Sequence, residues 1–398
     1  MRSRLDLVAP VTAGIVGAVT GFASSFVIVL TGFAAVGASP REAASGLLVL
    51  CTFQGLLAIV LSVRHRMPIS FAWSTPGAAV LVAAEATTDD YSAAVGAFLL
   101  CGVLIALTGL WPWLARVMTS IPAAVGSALL AGILLPICLA PVAAVVATPW
   151  AAVPPILVWL VLSRLAPRWA VPGAVVATVV AVLVTAGTGW LADASIVPQV
   201  AWVVPSFDPA VLVGLGIPLY IVTMAGQNVP GFAALRTFGY TPTPAREILV
   251  STGVATAAAA PFGGFAMNLS AITAALMAGP DAHPDPSRRW VAAVSGGVTY
   301  LVLAVGAGLA GALVAASPPT LITSVAGLAL LGALGAAVAT ALERPDHRIV
   351  AVGTFVVVVS GVTVSGVGSA VWGLLVGLVL LAVQTIGRRA ESPEGPAR

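Results

Sequence analysis

Long runs of residues without any charged side chain dominate this chain. They cover residues 7–40, 43–63, 67–84, 91–115, 117–163, 169–192, 209–235, 248–280, 290–342 and 349–387. A transmembrane helix needs about 20 consecutive apolar residues. A membrane-spanning β-strand would instead alternate apolar and polar positions. The sequence therefore predicts an all-α polytopic membrane protein.

The lengths of the runs predict how many times the chain crosses the bilayer. Residues 117–163 and 290–342 are each long enough for two spans. Residues 349–387 also fold back, with a turn near 360–368. If 248–280 holds one span and a second, shorter one, the total is about fourteen transmembrane helices.

The few charged residues predict the orientation of these spans. Only 8% of the residues are charged, and all seventeen basic residues are arginine. With the N-terminus inside and fourteen spans, every arginine except Arg41 falls in an inward-facing loop or terminus. Basic residues concentrate on the cytoplasmic side of membrane proteins. We therefore expect a multi-pass protein of a bacterial cytoplasmic (inner) membrane with both termini cytoplasmic. The net charge of +3 reflects this topology and does not indicate a nucleic-acid partner.

The two halves of the chain share short sequence echoes. "GFAA" at 32–35 recurs at 231–234, "SPRE" is echoed by "TPARE", and "FAWSTPGAAVL" (71–81) is echoed by "FAMNLSAITAAL" (265–276). Two halves of seven spans each must have opposite orientations, because seven is odd. The echoes therefore predict a 7+7 inverted repeat, which is typical of secondary transporters.

Helix-breaking residues lie at matching places in the two halves, inside spans 3 and 10. In the first half, Ser74 or Thr75 can cap a helix that has Pro76 at its first position. In the second half, a proline and a glycine pair precede Asn268 and Ser270, either of which can act as the cap. Broken helices are tolerated where they line a cavity, and two facing helix N-termini would form an anion site. The alternative is that these residues are ordinary kinks and packing faces.

A third polar patch, "TMAGQNVPG" at 223–231, places Gln227 and Asn228 inside the eighth span. Bulky amides are costly in lipid unless they find partners. They would form either interhelical hydrogen bonds or contacts with a transported substrate.

Three segments of this chain resemble the benzoate:proton symporter (BenE) family. They are "ISFAWSTPGAA" (69–79), "PLYIVTMAGQNVPGFAALRTFGY" (218–240) and "APFGGFAMNLSAITAALMAGPDAHPDP" (260–286). The resemblance implies uptake of benzoate or a related aromatic carboxylate, driven by protons, through alternating access. More distantly, the chain is similar to nucleobase and sulfate-type anion transporters, which have fourteen spans in a 7+7 inverted repeat and a core domain that moves against a gate domain.

This likeness implies a domain layout and a binding site. The repeats would be 1–199, with core spans about 8–110 and gate spans about 117–190, and 200–398, with core spans about 208–315 and gate spans about 317–388. The carboxylate would dock between spans 3 and 10. Its donors would be Ser74, Thr75, Asn268 and Ser270, with Gln227 and Asn228 completing the polar wall. An aromatic face for the ring would come from Phe71, Trp73, Phe262 or Phe265.

One departure from the related nucleobase transporters concerns the proton. Those transporters use glutamates in the eighth and tenth spans, and the matching positions here, Gln227 and Met267, are neutral. A neutral site suits an anion but removes the obvious proton carrier, so the proton would travel on the carboxyl group of the substrate. Glu85, Asp208 or Glu247 could alternatively act as gating or proton-linked carboxylates, and otherwise have solvated or capping roles.

Other functional classes fit the sequence less well. A channel needs a ring of charges or a repeated filter motif, and a membrane enzyme needs catalytic acids, histidines or cysteines clustered within the spans; the sequence has neither. We predict no metal site and no cofactor, since no Cys/His spacing indicates one. Another anion or a nucleobase as substrate, coupling to sodium, and a homodimer stay open.

Overall fold

The computed structural model describes residues 7–84, 87–114, 116, 122–189, 199–270, 272–364 and 367–391, and it is mostly helical. The helices of the first half are α1 Val8–Ala35, α2 Pro40–His65, α3 Thr75–Ala83, α4 Tyr91–Leu110, α5 Ala123–Ala147, α6 Pro149–Leu165 and α7 Ala170–Ala186. Those of the second half are α8 Pro209–Thr237, α9 Ala245–Ala259, α10 Ile272–Ala278, α11 Trp290–Val305, α12 Ala307–Ala316, α13 Pro319–Leu342, α14 Arg348–Val359 and α15 Ser369–Glu391.

Six helices in the described part of the chain are long and apolar enough to cross a membrane. They are α1, α2, α4, α5, α8 and α13. The pair α11 and α12, bent by 54°, makes a seventh if it forms one span. The predicted helical, polytopic membrane protein is confirmed, whereas the count of fourteen spans stays a prediction.

The first inter-helix loop shows how the sequence starts a helix at the membrane edge. Ser39 caps α2: its hydroxyl accepts from the Glu42 N–H at 3.3 Å, and its own N–H donates to the Glu42 carboxylate at 2.8 Å. Pro40 occupies the first helical position, where a missing N–H costs nothing. This reciprocal pair satisfies backbone donors that the helix itself leaves free.

Helices of the first half pack on helices of the second half. The main contacts are α2 with α11, α4 with α9 and α5 with α13. The α4–α9 contact brings two backbones together: a Cβ atom at Gly102 would lie 2.6 Å from the Ala257 nitrogen and 2.8 Å from the Gly253 carbonyl oxygen. Only glycine permits such an approach.

A short antiparallel strand pair joins the halves inside the helical bundle. Strand β1 (Phe71–Trp73) precedes α3, and strand β2 (Met267–Leu269) precedes α10. Ala72 lies opposite Asn268 in the register. The sequence placed helix breaks at both positions, and the structure adds that each break is extended and hydrogen-bonded to the other.

We predict that the close α4–α9 contact contributes measurably to stability. Replacing Gly102 with alanine should lower the free energy of unfolding by about 1–3 kcal/mol, because the added methyl group overpacks a rigid contact. Gly332→Ala in α13 is the matched control, since a Cβ atom there meets nothing within 4 Å. Thermal unfolding of the purified proteins checks this, and equal midpoints for both variants would contradict it.

Candidate functional site

The start of α3 is a helix N-terminus held by side chains from two elements. Ser74 is the N-cap, and its hydroxyl accepts from the Gly77 N–H at 3.0 Å. The Thr223 hydroxyl of α8 donates to the same Ser74 oxygen at 2.8 Å. Thr75 is the first helical residue, so Pro76 stands at the second position and not at the predicted first. The Thr75 side chain is half-buried and its hydroxyl has no hydrogen bond to another described residue.

The second break reaches β2 through a tight reversal. A helical turn at Ala260–Phe262 ends at Gly263, whose φ of +90° lies in the left-handed region that favours glycine. Of the two predicted caps, Ser270 acts as one, because its hydroxyl accepts from the Thr273 N–H at 3.2 Å. Asn268 lies inside β2 and caps no helix.

Two side chains bind the outer edge of β2. The Asn228 side-chain oxygen accepts from the Leu269 N–H at 2.9 Å, and the Thr256 hydroxyl accepts from the Met267 N–H at 3.1 Å. Asn228 closes a π-helical turn, Met224–Asn228, within α8. No sequence pattern predicted this turn, although π-turns are frequent at functional sites. Asn228 therefore has the structural role that the sequence left open beside substrate contact.

Several polar atoms near the two breaks are buried without a partner. The Asn268 amide nitrogen donates to the Leu269 carbonyl at 3.0 Å, but the Asn268 Oδ1 atom accepts nothing. The Ser70 hydroxyl is also unpartnered. Gln227 is 8% exposed, and its side-chain amide makes no hydrogen bond to another described residue. Native proteins seldom leave such groups unsatisfied, so these atoms are available to a ligand.

The chain neighbours of Gln227 contact both breaks. Gly226, next to Gln227, faces Pro76: a Cβ atom there would lie 3.6 Å from the Pro76 ring. Asn228, on the other side of Gln227, binds β2, where Asn268 pairs with Ala72. The π-turn of α8 thus lies against both breaks.

The predicted aromatic residues are enclosed by other side chains. The Trp73 indole nitrogen donates to the Ser25 hydroxyl at 3.0 Å, and its ring lies 5.8 Å from Phe22 and 6.1 Å from Tyr300. The others pack within apolar clusters or pairs: Phe71 with Leu61 and Leu235, Phe265 with Phe33 and Phe98, and Phe262 with Trp202. An aromatic contact with substrate from these residues stays a prediction.

The three candidate carboxylates lie apart from the breaks or outside the described residues. Glu85 is outside them. Asp208 caps α8, accepting from the Ala210 N–H at 2.7 Å. Glu247 joins the start of α9 to the end of α2 through Arg64 at 3.0 Å and His65 at 2.9 Å. A gating or proton-linked role for any of them stays a prediction.

Beyond the membrane-spanning helices, a folded loop follows α10. Arg289 is buried there and donates to the carbonyl groups of Ala278, His283 and Pro284. Asp285 caps the next turn, and hydrogen bonds from the Ser287 hydroxyl and N–H lower the pKa of its carboxyl. These contacts give the unusual motif at 260–286 a structural role.

Among the described residues, no group of three or more His, Cys, Asp or Glu side chains could hold a metal ion. The three cysteines are free and buried.

Two cavities open near the ends of α1 and α3. The larger, about 450 Å³, lies between these helices and α5, α13 and α14; its lining includes Thr31, Val80, Ile133, Thr323 and Val358. The smaller, about 280 Å³, lies between α1, α12 and α13 and includes Leu30, Thr31, Gly311 and Pro319. Val80 is four residues, about 6 Å, beyond Pro76 along α3. The larger cavity thus ends about one helical turn from the break.

Comparisons with known proteins agree with this architecture. The model of a family described as "BenE: Benzoate membrane transport protein" matches residues 6–383. The chain is 35% identical over 385 residues to the inner membrane protein YdcO of Escherichia coli, covering 96% of this chain and 97% of that protein. It is 32% identical over 327 residues to a benzoate membrane transport protein of Acinetobacter baylyi, covering 81% of each.

Two solved structures of transporters resemble the chain in fold at low sequence identity. The transmembrane domain of the cyanobacterial bicarbonate transporter BicA matches with a TM-score of 0.58 at 15% identity, covering 93% of this chain and 97% of that one. The murine anion transporter Slc26a9 in its inward-facing state matches with a TM-score of 0.61 at 15% identity, covering 96% of this chain and 69% of that one.

We predict that Asn228 stabilises β2. Asn228→Ala should cost about 1–3 kcal/mol of unfolding free energy, because the buried Leu269 N–H loses its acceptor. Thr237→Ala is the control, since that exposed hydroxyl on the same helix bonds only to the Ala233 carbonyl. Thermal unfolding and amide exchange across 265–270 measure the effect. Unchanged exchange in Asn228→Ala would contradict the prediction.

Proposed function

Since the chain belongs to the benzoate membrane transport (BenE) family, we propose that it is a secondary transporter that imports benzoate or a related aromatic carboxylate by proton symport. The proposal places it in a bacterial inner membrane with both termini cytoplasmic. The low-identity structural matches support the fold, and the names of the two curated relatives support the substrate class and the membrane.

One observation carries the proposed site. The Asn268 Oδ1 atom is buried without a partner among the described residues, and Thr75 and Gln227 belong to the elements that meet Asn268 at the contact between the two breaks and the π-turn of α8. The α3 N-terminus adds a partial positive charge that favours an anion. Ser74 and Ser270 contribute by capping the two short helices, since both hydroxyls already accept from backbone N–H groups.

We further propose that the chain forms fourteen spans in a 7+7 inverted repeat, with a core and a gate domain. The packing supports this. In a 7+7 repeat, span 2 (α2) corresponds to span 9 (α9), and span 4 (α4) corresponds to span 11 (α11). The contact of α2 with α11 is therefore equivalent to the contact of α9 with α4, and both are main contacts of the structure. The larger cavity lies between the proposed core helices α1 and α3 and the proposed gate helices α5, α13 and α14.

The proton is proposed to travel on the carboxyl group of the substrate. The side chains near the breaks are neutral, and the Asn268 Oδ1 atom is an acceptor without a donor. A protonated carboxyl group can donate to that atom, whereas a carboxylate cannot. Protonation on the outside and release inside would then couple benzoate uptake to the proton gradient.

Uptake of labelled benzoate into proteoliposomes tests the function directly. An inward proton gradient should stimulate uptake several-fold over a matched vesicle without a gradient. Excess unlabelled salicylate should compete, and sulfate and uracil should not. Absence of benzoate uptake by folded protein would overturn the substrate assignment, and stimulation by a sodium gradient alone would overturn proton coupling.

We predict that Asn268 acts on substrate binding. Asn268→Ala should reduce gradient-driven uptake by about tenfold or more, since one good hydrogen bond in a desolvated site is worth about 1.5 kcal/mol. Asn268→Asp, which restores an oxygen acceptor, should recover binding best at acidic pH, where the new side chain is protonated. Equal KM values in wild type and Asn268→Ala would contradict a role in binding.

We also predict that the larger cavity is open to the outside. With Cys51, Cys101 and Cys138 replaced by alanine, Thr31→Cys in intact cells should react with a membrane-impermeant thiol reagent, and benzoate should slow the reaction. Thr12→Cys, exposed near the opposite end of α1, is the control and should not react. Labelling of Thr12→Cys alone would contradict the proposed orientation.

A further inference from the structure

Gln54 carries a buried side-chain amide that makes no hydrogen bond to any described part of the chain. It lies in α2, is 0% exposed, and neither its Nε2 nor its Oε1 atom has a partner. Burying an amide without partners is unfavourable, and buried polar groups in native proteins are satisfied by the protein or by ordered water. Gln54 therefore requires a partner beyond the described residues of the protein.

The position of Gln54 along α2 places it level with strand β1. The Ser62 hydroxyl accepts from the Ile69 N–H and donates to the Ile69 carbonyl, both at 3.1 Å, which fixes α2 against the segment leading into β1. Gln54 precedes Ser62 by eight residues, about 12 Å along the helix. An extended chain advances about 3.3 Å per residue, so about 12 Å of chain beyond Ile69 ends between Ala72 and Trp73. Gln54 is therefore level with that part of β1.

The face of α2 that carries Gln54 is turned toward β1. Ala58 and Leu61, one and two turns after Gln54, pack in a hydrophobic cluster that contains Phe71. Cys51, one turn before Gln54, belongs to the main core together with Trp73. Residues three, four and seven apart share a helix face. Gln54 therefore lies between residues that share hydrophobic clusters with the two ends of β1, and α2 contacts β1 directly.

The outer edge of β1 has unsatisfied backbone groups of its own. In an antiparallel pair, alternate residues direct their N–H and C=O groups away from the partner strand. The hydrogen bonds at the two ends of the strand pair fix which residues alternate. In β1, the residues whose N–H and C=O groups point away from β2 are Phe71 and Trp73. The corresponding N–H groups of β2 have side-chain acceptors, Thr256 and Asn228. No hydrogen bond joins the N–H of Phe71 or Trp73 to any described residue.

We propose that an ordered water molecule bridges the Gln54 amide to the outer backbone groups of β1, which makes Gln54 a positioning residue for the break before α3. A buried water needs two to four polar partners. The amide offers a donor and an acceptor, and the strand edge offers N–H and C=O groups. Because Ser74 and Thr75 follow β1 directly, this bridge sets the position of the α3 N-terminus. The consequence for transport rests on the proposed function; the consequence for structure does not.

The sign of a stability change tests the proposal. Gln54→Met replaces the amide with an apolar side chain of similar size. If the amide has no partner at all, this substitution removes an unsatisfied buried polar group, and Tm should rise. If water bridges the amide to β1, the substitution leaves the outer backbone groups of β1 without a partner, and Tm should fall. We expect a lower Tm and amide exchange across 69–74 that is faster by about tenfold, with exchange across 265–270 unchanged. Ser324→Ala is the control: it removes a buried, unpartnered hydroxyl of α13 and should not lower Tm.

Transport kinetics add a readout that a general loss of packing would not give. Gln54→Met should raise KM for benzoate with little change in maximal rate, and Gln54→Asn, which keeps the amide, should recover part of the affinity. An increase in Tm with unchanged exchange across 69–74 would overturn the proposal. If Gln54→Met does not fold, amide exchange in the wild-type protein tests the proposal instead. Backbone amides of Phe71 and Trp73 that exchange as fast as amides without a hydrogen bond would overturn the proposal.

A cation is the competing occupant. If adding sodium chloride in place of choline chloride slows exchange across 69–74, the bridging group is a sodium ion and the water proposal is wrong. Failure of benzoate uptake in wild type would overturn the proposed function alone, because Tm and exchange are measured without substrate.

Discussion

The structure depends on one constraint: backbone N–H and C=O groups inside a membrane need hydrogen-bond partners within the protein. A continuous helix meets this requirement by itself, and a broken one does not. Here two breaks meet, and strands β1 and β2 satisfy each other's inner edges. The Ser74 N–H donates to the Ala266 carbonyl at 2.8 Å, and the Ser270 N–H donates to the Ser70 carbonyl at 2.9 Å, which extends the pairing beyond both strands.

The outer edges of the pair determine which polar residues the surrounding helices must carry. Asn228 and Thr256 satisfy β2, and Ser74 together with Thr223 completes the start of α3. These residues lie in otherwise apolar helices because the breaks need them. The Gln227 side chain has no such partner among the described residues, and we therefore propose that it serves a ligand, whereas its neighbours stabilise the scaffold.

Part of this architecture could be predicted from the sequence. The charge-free runs gave the helical membrane class, and the Ser74–Pro76 cluster gave the position of the first break. Pairing between β1 and β2 could not be predicted, because three-residue strands so far apart in the chain leave no periodic pattern. For the same reason Asn268, expected as a cap, proved to lie within a strand. The π-turn ending at Asn228 has no distinctive composition either, so hydrogen-bond geometry was needed to reveal it.

We propose that substrate binds where the two breaks meet the π-turn of α8. The most direct test is the position of the iodine anomalous peak in crystals grown with 4-iodobenzoate, once competition with benzoate shows that it is a ligand. We expect a single strong peak within contact distance of the space bounded by Thr75, Gln227 and Asn268. A peak confined to the cavity beside Leu30 and Gly311, with none at the breaks, would contradict it.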